Sequence, residues 1–455
     1  MSYAELFCKD IMDSGLTLGL FGLGRSSAEL LRMLDGLPRD RIILRDERRE
    51  LSSFDTRGCR VAFGEEALRD IREDLLIVSP SVRRDRAPFR EALERGTCIS
   101  SDCELFFRYL EGLPRGGRRI GVTGSDGKST VTALASLLLT AGGLDTPAIG
   151  NIGVPFCTHK GGGFVAELSS FNLSYCTPPL DAAAITSLSP NHLNWHTSLC
   201  EYFEAKARIL ARARRIVLPT DGPAAALSAR EPDAVFSVSS GYRELSARYP
   251  RSEIYSIEDG CLCRLGERIV PVAELTRREK YNLSNMLCAA ALVGDNVGSN
   301  DMARVFSSFG GLAHRGERIP ARDITFIDSS IDTSPARTAA TLDELDGPIR
   351  LILGGRGKGL SYSSLLPHLA GRVATVALYG EAAVDILSEL EDGLAHLGIA
   401  YTVHRGFDDA FDSAVSSARE GDTVLLSPAC TAYGEFSDFE ERGRHFAALV
   451  ENFTR

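Results

Sequence analysis

No span of the 455-residue sequence approaches the roughly 18–20 uninterrupted apolar residues that cross a bilayer, so membrane insertion is not expected. The opening stretch MSYAELFCKDIMDSG carries acids early and lacks a basic segment ahead of a long apolar run, which argues against a secretory leader. No basic block offsets the formal net charge of −10, so no nucleic-acid partner is expected. The short cluster Arg83-Arg84-Asp85-Arg86 is interleaved with an acid and reads as a solvated face rather than a track for phosphates. The eleven cysteines form no C-x-x-C pair, and Cys98, Cys288 and Cys430 lie inside apolar runs. That pattern fits reduced thiols better than a disulfide framework or a zinc ribbon. Solenoid-period repeats and low-complexity tracts are also missing. A cytoplasmic globular protein of about three domains is expected.

What is present is strand–helix alternation in three separate segments, which predicts an α/β protein built of mainly parallel sheets. The first segment, 1–108, contains LTLGLFGLGRSSAELLRML, RIILRD and DLLIVSPSV. The second, 109–311, contains FVAELSSF, AAAITSLSPNHL and RIVLP and ends in the helical pattern NLSNMLCAAALVG. The third, 312–455, contains the strand-like pieces ITFIDSS, IRLILGG, ATVALYG and DTVLLSP.

The sharpest local signal is Gly124-Ser125-Asp126-Gly127-Lys128-Ser129-Thr130, set between a strand at Ile120–Val122 and a helix marked by Val131, Leu134, Leu137 and Leu138. Glycines let backbone N–H groups converge on phosphate oxygens, and the helix N-terminus adds a positive dipole end. Lys128 is placed to neutralise a nucleotide's terminal phosphates, and Ser129 or Thr130 to offer a hydroxyl to Mg²⁺. Val122 stands where the strict eight-residue phosphate-loop pattern has its first glycine. The plain alternative is a strand-to-helix turn that happens to hold a lysine. ATP is the expected ligand.

The first segment carries a weaker fingerprint. Gly22-Leu23-Gly24-Arg25-Ser26-Ser27 follows an apolar strand, and Asp46 ends the next one, as in a dinucleotide-binding turn with its ribose-binding acid. Ser27 replaces the third glycine. A nicotinamide-dependent dehydrogenase is the natural rival, but hydride transfer has no use for a second phosphate loop with Lys128. Downstream, Glu167 leaves a strand beside that loop, where a nucleotide-hydrolysing site holds Mg²⁺, although a solvated loop acid would look the same. His192 also follows a strand, at the sheet edge where such folds collect ligands, whereas a lone histidine is more often structural. Lys206 lies on an amphipathic helix, and on its own reads as a surface lysine.

Taken together, VTGSDGKST, GNIGVP, AELSSFNL, NHLNWHTSLCEYFEAKARIL, YNLSNMLCAAAL, LAHRGERI, LILGGRGKG and LLSPACTAYGEFSDFEERG follow in the order seen in the Mur ligases. The ELSSF piece and the terminal SPA…FEERG signature resemble the branch of the family that adds D-glutamate. The resemblance implies three domains: a Rossmann-like N-terminal domain, a phosphate-loop ATPase domain and a Rossmann-like C-terminal domain. It also implies ATP-dependent addition of D-glutamate to UDP-N-acetylmuramoyl-L-alanine through an acyl phosphate, by a cytoplasmic monomer acting in peptidoglycan precursor synthesis.

Carried over residue by residue, Lys128, His192 and Lys206 are the implied catalytic residues. ATP would lie on the loop Gly124, Ser125, Asp126, Gly127, Lys128, Ser129 and Thr130, with Asn282, Asn285, Arg315 and Asp328 as further contacts. The UDP-bearing substrate would meet Gly24, Arg25, Ser26, Asp46, Asn151 and Ser169, and D-glutamate would meet Lys358, Thr431 and Phe439. Two Mg²⁺ sites are implied, one on Ser129 or Thr130 with Glu167, the other on His192, with Lys206 carrying a carbamate.

The sequence departs from the family at several points. Asn191-His192-Leu193-Asn194 stands for Asp-His-x-Asp, and Tyr281 replaces the usual histidine before Asn282. The stretch Asp328–Ser334 lacks the family's lysine, and Ala432 replaces a serine that contacts the glutamate carboxylate, leaving Thr431 to substitute. Rival readings keep the fold and change the amine to another amino acid or ammonia, or drop catalysis in favour of nucleotide-dependent regulation. The amidating relative carries a four-cysteine ribbon that this sequence does not have.

Overall fold

The computed structural model describes residues 3–48, 54–113, 116–160, 162–193, 195–319, 321, 323–357 and 360–454, and among these the side chains of Tyr3, Ala4 and Arg25 are not described. The chain divides into two compact units, Met1–Phe309 and Gly310–Arg455. Among the described residues there are three sheets, two in the first unit and one in the second.

The first sheet has five strands in the order Arg60–Phe63, Ile42–Asp46, Leu18–Phe21, Leu75–Val78 and Cys98–Ser100, all parallel. Its central strands are buried on both faces, as parallel strands covered by helices must be. The second sheet has nine strands. Its parallel part runs Glu253–Glu258, Ala234–Phe236, Ala213–Pro219, Leu180–Ile185, Arg119–Thr123, Phe164–Glu167 and Ala148–Gly150. An antiparallel meander, Glu253–Glu258, Cys261–Arg264 and Glu267–Pro271, extends one edge; nothing in the sequence reading anticipates it. Its turns place Asp259 and Gly260 at φ +46° and +70°, the left-handed pair that tight hairpins favour, so the Asp-Gly dipeptide is the available signal.

One apolar core joins the first two sheets. Phe106 and Phe107, on the helix Asp102–Gly112, pack against Phe164 of the second sheet and Phe156 in the connection that precedes that strand, with ring centroids 5.3–6.1 Å apart. Each fully buried side chain of this kind contributes about 1.5–3 kcal/mol. On the other face of the second sheet, Val131, Leu134 and Leu138 of the helix Lys128–Ala141 meet Met286 and Leu287 of the helix Lys280–Val293. Leu137, from the same apolar pattern, faces outward at 48 % exposure.

The C-terminal unit is a six-stranded sheet in the order Glu317–Ile319, Thr325–Asp328, Thr423–Ala429, Ile349–Gly354, Val373–Tyr379 and Ala400–His404. Glu317–Ile319 runs antiparallel to its neighbour; the other pairs are parallel. Strand alternation divides the interior in two: Leu351 and Leu353 enter one core and Ile352 the other, each roofed by helices. The eleven cysteines are free thiols, and Cys288 and Cys430 are buried, whereas Cys98 is exposed. No helix among the described residues is long and apolar enough to cross a membrane.

Candidate active site

The strand Arg119–Thr123 lies between Leu180–Ile185 and Phe164–Glu167, so the loop that follows it emerges where the chain has crossed from one side of the sheet to the other. Ligands of open α/β sheets collect at such a point. Two glycines shape the loop. Gly124 sits at φ +152°, and a Cβ there would lie 1.9 Å from Thr186 Oγ1. Gly127 caps the helix Lys128–Ala141 at φ +79°, and a Cβ there would lie 2.3 Å from Asn285 Oδ1. The loop is thus pressed against the next strand end on one side and against Asn285 on the other. Asn282, one turn earlier, is buried and donates to Glu279 Oε2 at 2.9 Å.

Within the loop, Lys128 Nζ donates to the Ser125 carbonyl at 2.7 Å. Ser125 Oγ donates to the Ser189 carbonyl at 3.0 Å and pairs with Tyr202 Oη at 2.9 Å. The Asp126 amide donates to Ser187 Oγ at 2.9 Å. Ser129 is half-buried and Thr130 buried on the first helical turn.

Three further predicted residues surround this loop. Glu167 ends its strand directly across from Val122, is buried, and has an Oε2 with no hydrogen-bond partner. A buried carboxylate oxygen left unpaired is costly, and a hard cation is the ligand that would satisfy it. Lys206, read from sequence as a surface residue, is only 2 % exposed. The helix Leu199–Ala207 directs its Nζ to the Gly124 carbonyl at 2.6 Å and to Thr123 Oγ1 at 3.4 Å. Burial and the nearby Lys128 charge push its pKa well below the ordinary lysine value, against the opposing pull of Glu167 and Asp126.

His192 is exposed at φ +54°, and its carbonyl accepts from the amides of Trp195 at 3.0 Å and His196 at 2.9 Å. Its ring packs edge-on against Phe171, 5.0 Å between centroids. Asn194 lies outside the described residues. His196, unremarked in the sequence, is buried beneath this turn with Nε2 2.9 Å from Ser170 Oγ; burial lowers its pKa. Asn151 adjoins the cluster, its amide 3.3 Å from the Glu167 carbonyl. Ser169 caps the helix Ser170–Leu173 in a reciprocal capping box with Asn172.

A cavity, ≈ 330 Å³, opens over the first sheet and is lined by Gly22, Gly24, Asp46, Arg48, Ser79 and Ser81 among others. Asp46 accepts from the Leu23 amide at 2.7 Å and from Arg48 at 2.8 Å, which holds its carboxyl below the usual range despite burial. Ser26 turns away to hydrogen-bond Asp102. The Arg25 side chain lies outside what is described.

In the C-terminal unit, Asp328 is fully buried at a strand end. Its Oδ2 accepts from His314 Nδ1 at 2.7 Å and its Oδ1 from the Ser330 amide at 2.8 Å. His314 directly precedes Arg315, so Asp328 anchors the turn that carries this arginine. Thr431 Oγ1 donates to the Arg356 carbonyl at 3.0 Å, and the Phe439 carbonyl accepts from Ser330 Oγ at 2.8 Å. Lys358 lies outside the described residues. Arg442, quoted in the FEERG signature without a role, is fully buried and donates to Ser330, Cys430 and Tyr379 at 2.8–3.2 Å.

The Mur ligase middle domain matches residues 122–293, and the Mur ligase, glutamate ligase domain matches residues 314–430. The UDP-N-acetylmuramoylalanine–D-glutamate ligase of Symbiobacterium thermophilum is 35 % identical, over 87 % of this chain and 88 % of its own. The enzyme of the same name from Clostridium novyi is 30 % identical, over 88 % of this chain and 87 % of its own. Among solved structures, the UDP-N-acetylmuramate–alanine ligase of Thermotoga maritima superposes with a TM-score of 0.59 at 18 % identity, covering 96 % of this chain and all of that one. The chain belongs to the Mur ligase family.

Proposed function

We propose that this protein is an ATP-dependent ligase that joins the carboxylate of UDP-N-acetylmuramoyl-L-alanine to the amine of D-glutamate, in cytoplasmic peptidoglycan precursor synthesis. The observation that carries the reading is the convergence of the Gly124–Thr130 loop, the unpaired Glu167 oxygen and the buried Lys206 amine at one sheet edge. Residues 1–108 bind the UDP end, with Gly24, Arg25 and Asp46 as its contacts and Asn151 and Ser169 nearer the reacting carboxylate; Ser26, engaged by Asp102, supports the turn instead. Residues 109–311 bind ATP, and residues 312–455 bind D-glutamate through Lys358, Thr431 and Phe439. Asn282 and Asn285 add further nucleotide contacts beside the loop.

In the first step the substrate carboxylate attacks the γ-phosphorus and ADP leaves. In the second the amine attacks the acyl phosphate and inorganic phosphate leaves. The first step brings two anions together, so positive charge is the main catalytic requirement. Lys128 supplies one charge from the loop, while the loop amides and the helix N-terminus orient the phosphates. Glu167 with Ser129 or Thr130 would hold one Mg²⁺, and His192 with a carbamate on Lys206 a second. Bound Mg²⁺ supplies further charge neutralisation at the phosphates. Only a neutral amine reacts with CO₂, and the depressed pKa of Lys206 provides one. Asn191 is a weaker oxygen donor than the aspartate it replaces, which leaves His192 and Lys206 as the principal groups for the second ion.

The test is phosphate release from ATP with UDP-N-acetylmuramoyl-L-alanine and a panel of D- and L-amino acids and ammonia. Release that requires D-glutamate is expected. Equal rates with L-glutamate or ammonia would reassign the amine, and release independent of the UDP substrate would sink the ligase reading.

A further inference from the structure

In the cluster Arg83-Arg84-Asp85-Arg86, read from sequence as a solvated face, Asp85 is exposed and Arg86 pairs with the exposed Glu47, but Arg83 and Arg84 lie in the seam between the first two sheets. Arg84 is buried, ion-paired to Glu104 at 2.6 Å, with its guanidinium 4.2 Å from the Tyr175 ring centroid. Arg83 lies over the ring of Trp195, 5.1 Å from its centroid, and donates to the Trp195 carbonyl. Trp195 Nε1 donates to the Ser81 carbonyl at 2.7 Å.

These contacts join two places that the proposed chemistry keeps separate. Ser79, Ser81 and Val82 line the cavity over the first sheet. On its other side, Trp195 packs against Phe171 at 4.8 Å, and Phe171 packs against the His192 ring at 5.0 Å. The Trp195 amide also donates to the His192 carbonyl at 3.0 Å. A continuous line of contacts therefore runs from the lip of the nucleotide cavity through one indole to the histidine of the catalytic edge. His192 is exposed, at positive φ, and carried on a turn against which Phe171 and Trp195 pack, so a shift of that packing shifts the histidine.

We propose that Trp195, held by Ser81 and Arg83, is a positioning residue that couples occupancy of the cavity over the first sheet by a uridine nucleotide to the placement of His192. The inference rests on the proposed function for the identity of both sites. Coupling of this kind has magnitudes of about 5–150-fold and acts in both directions.

Trp195 is the sole tryptophan in the sequence, which makes it its own reporter. UDP, the nucleotide fragment alone, is titrated into the full chain by calorimetry and by tryptophan emission. Wild type, Trp195→Phe, Arg83→Gln and Arg83→Lys are then compared for kcat, KM of the UDP substrate and the Mg²⁺ concentration for half-maximal rate. Expected are a saturable emission change that tracks calorimetric binding, and a kcat about 10-fold lower in Trp195→Phe and Arg83→Gln. UDP affinity should stay within about 2-fold, the Mg²⁺ requirement should rise, and Arg83→Lys should recover part of the rate. UDP binding without an emission change overturns the coupling while leaving the ligase reading intact. So does an unchanged kcat in both Trp195→Phe and Arg83→Gln, and so does a loss of rate that merely follows a lower melting temperature. Absence of UDP binding by calorimetry overturns both the coupling and the assignment of the cavity.

Discussion

Lys206 Nζ donates to the carbonyl of Gly124, 82 residues earlier in the chain, at 2.6 Å. The amine is thereby fixed at the first residue of the phosphate loop, in a site that disfavours its protonated form. An unmodified lysine here would add nothing a metal can use; a carbamate would present oxygens. Lys206→Ala should be nearly inactive, with partial rescue by a short carboxylic acid and none by the matching amide. Incubation with ¹³C-bicarbonate should give a carbamate carbon resonance in wild type that the variant lacks. Wild type without that resonance, under conditions of full activity, would remove the carbamate from the mechanism.

Lys128 curls back onto the Ser125 carbonyl at 2.7 Å, a neutral oxygen that a nucleotide phosphate would replace in the proposed ATP site. Charge placed where negative charge is redistributed in the transition state matters more for turnover than for ground-state binding. Lys128→Ala should lower kcat by about 10²–10³-fold, with a smaller change in the KM for ATP. A near wild-type kcat would move the ATP site elsewhere.

Much of this site was legible in the sequence because it depends on local pattern. The glycine-bracketed loop, the strand before it and the helix after it are contiguous, and Glu167 and His192 each end or follow a recognisable strand. Lys206 was not legible as a buried residue, because its helix carries Glu201 and Glu204 nearby and its partner at Gly124 is remote in sequence. The seam at Arg83 and Arg84 was misread for the same reason: their partners Trp195 and Tyr175 lie 112 and 91 residues away. Local charge interleaving resembles a solvated face until aromatic rings arrive from another sheet. The hairpins at Glu253–Pro271 were hidden differently, since short antiparallel strands leave a weak period, marked mainly by Asp259-Gly260.

Glu167 offers a test of cation binding that does not depend on turnover. Its buried, unpaired Oε2 destabilises the protein until something positive meets it. Glu167→Gln keeps the shape and removes the charge. Without Mg²⁺ the variant should melt no lower than wild type. On addition of Mg²⁺ with ADP, wild type should gain several degrees and the variant little, since stabilisation grows as the logarithm of ligand over dissociation constant. Equal gains in both proteins would show that Glu167 does not hold the ion.

The last prediction concerns pH and the turn that carries Arg315. The buried Asp328 carboxylate, 2.7 Å from His314 Nδ1, raises the histidine's pKa against the opposing effect of its burial. In the unfolded chain the histidine titrates near its ordinary value of about 6.5. A folded value above the unfolded one means that the folded state holds the proton more tightly. The pair's contribution to stability is therefore complete below about pH 6.5 and is lost as pH rises through the folded value. His314→Gln removes the titration while retaining a donor for Asp328. The difference in denaturant midpoint between wild type and this variant should be largest near pH 6 and shrink toward pH 9, followed through the transition of the C-terminal unit. A difference that is constant with pH, or that grows on the alkaline side, would mean that the pair is not an ion pair in the folded protein.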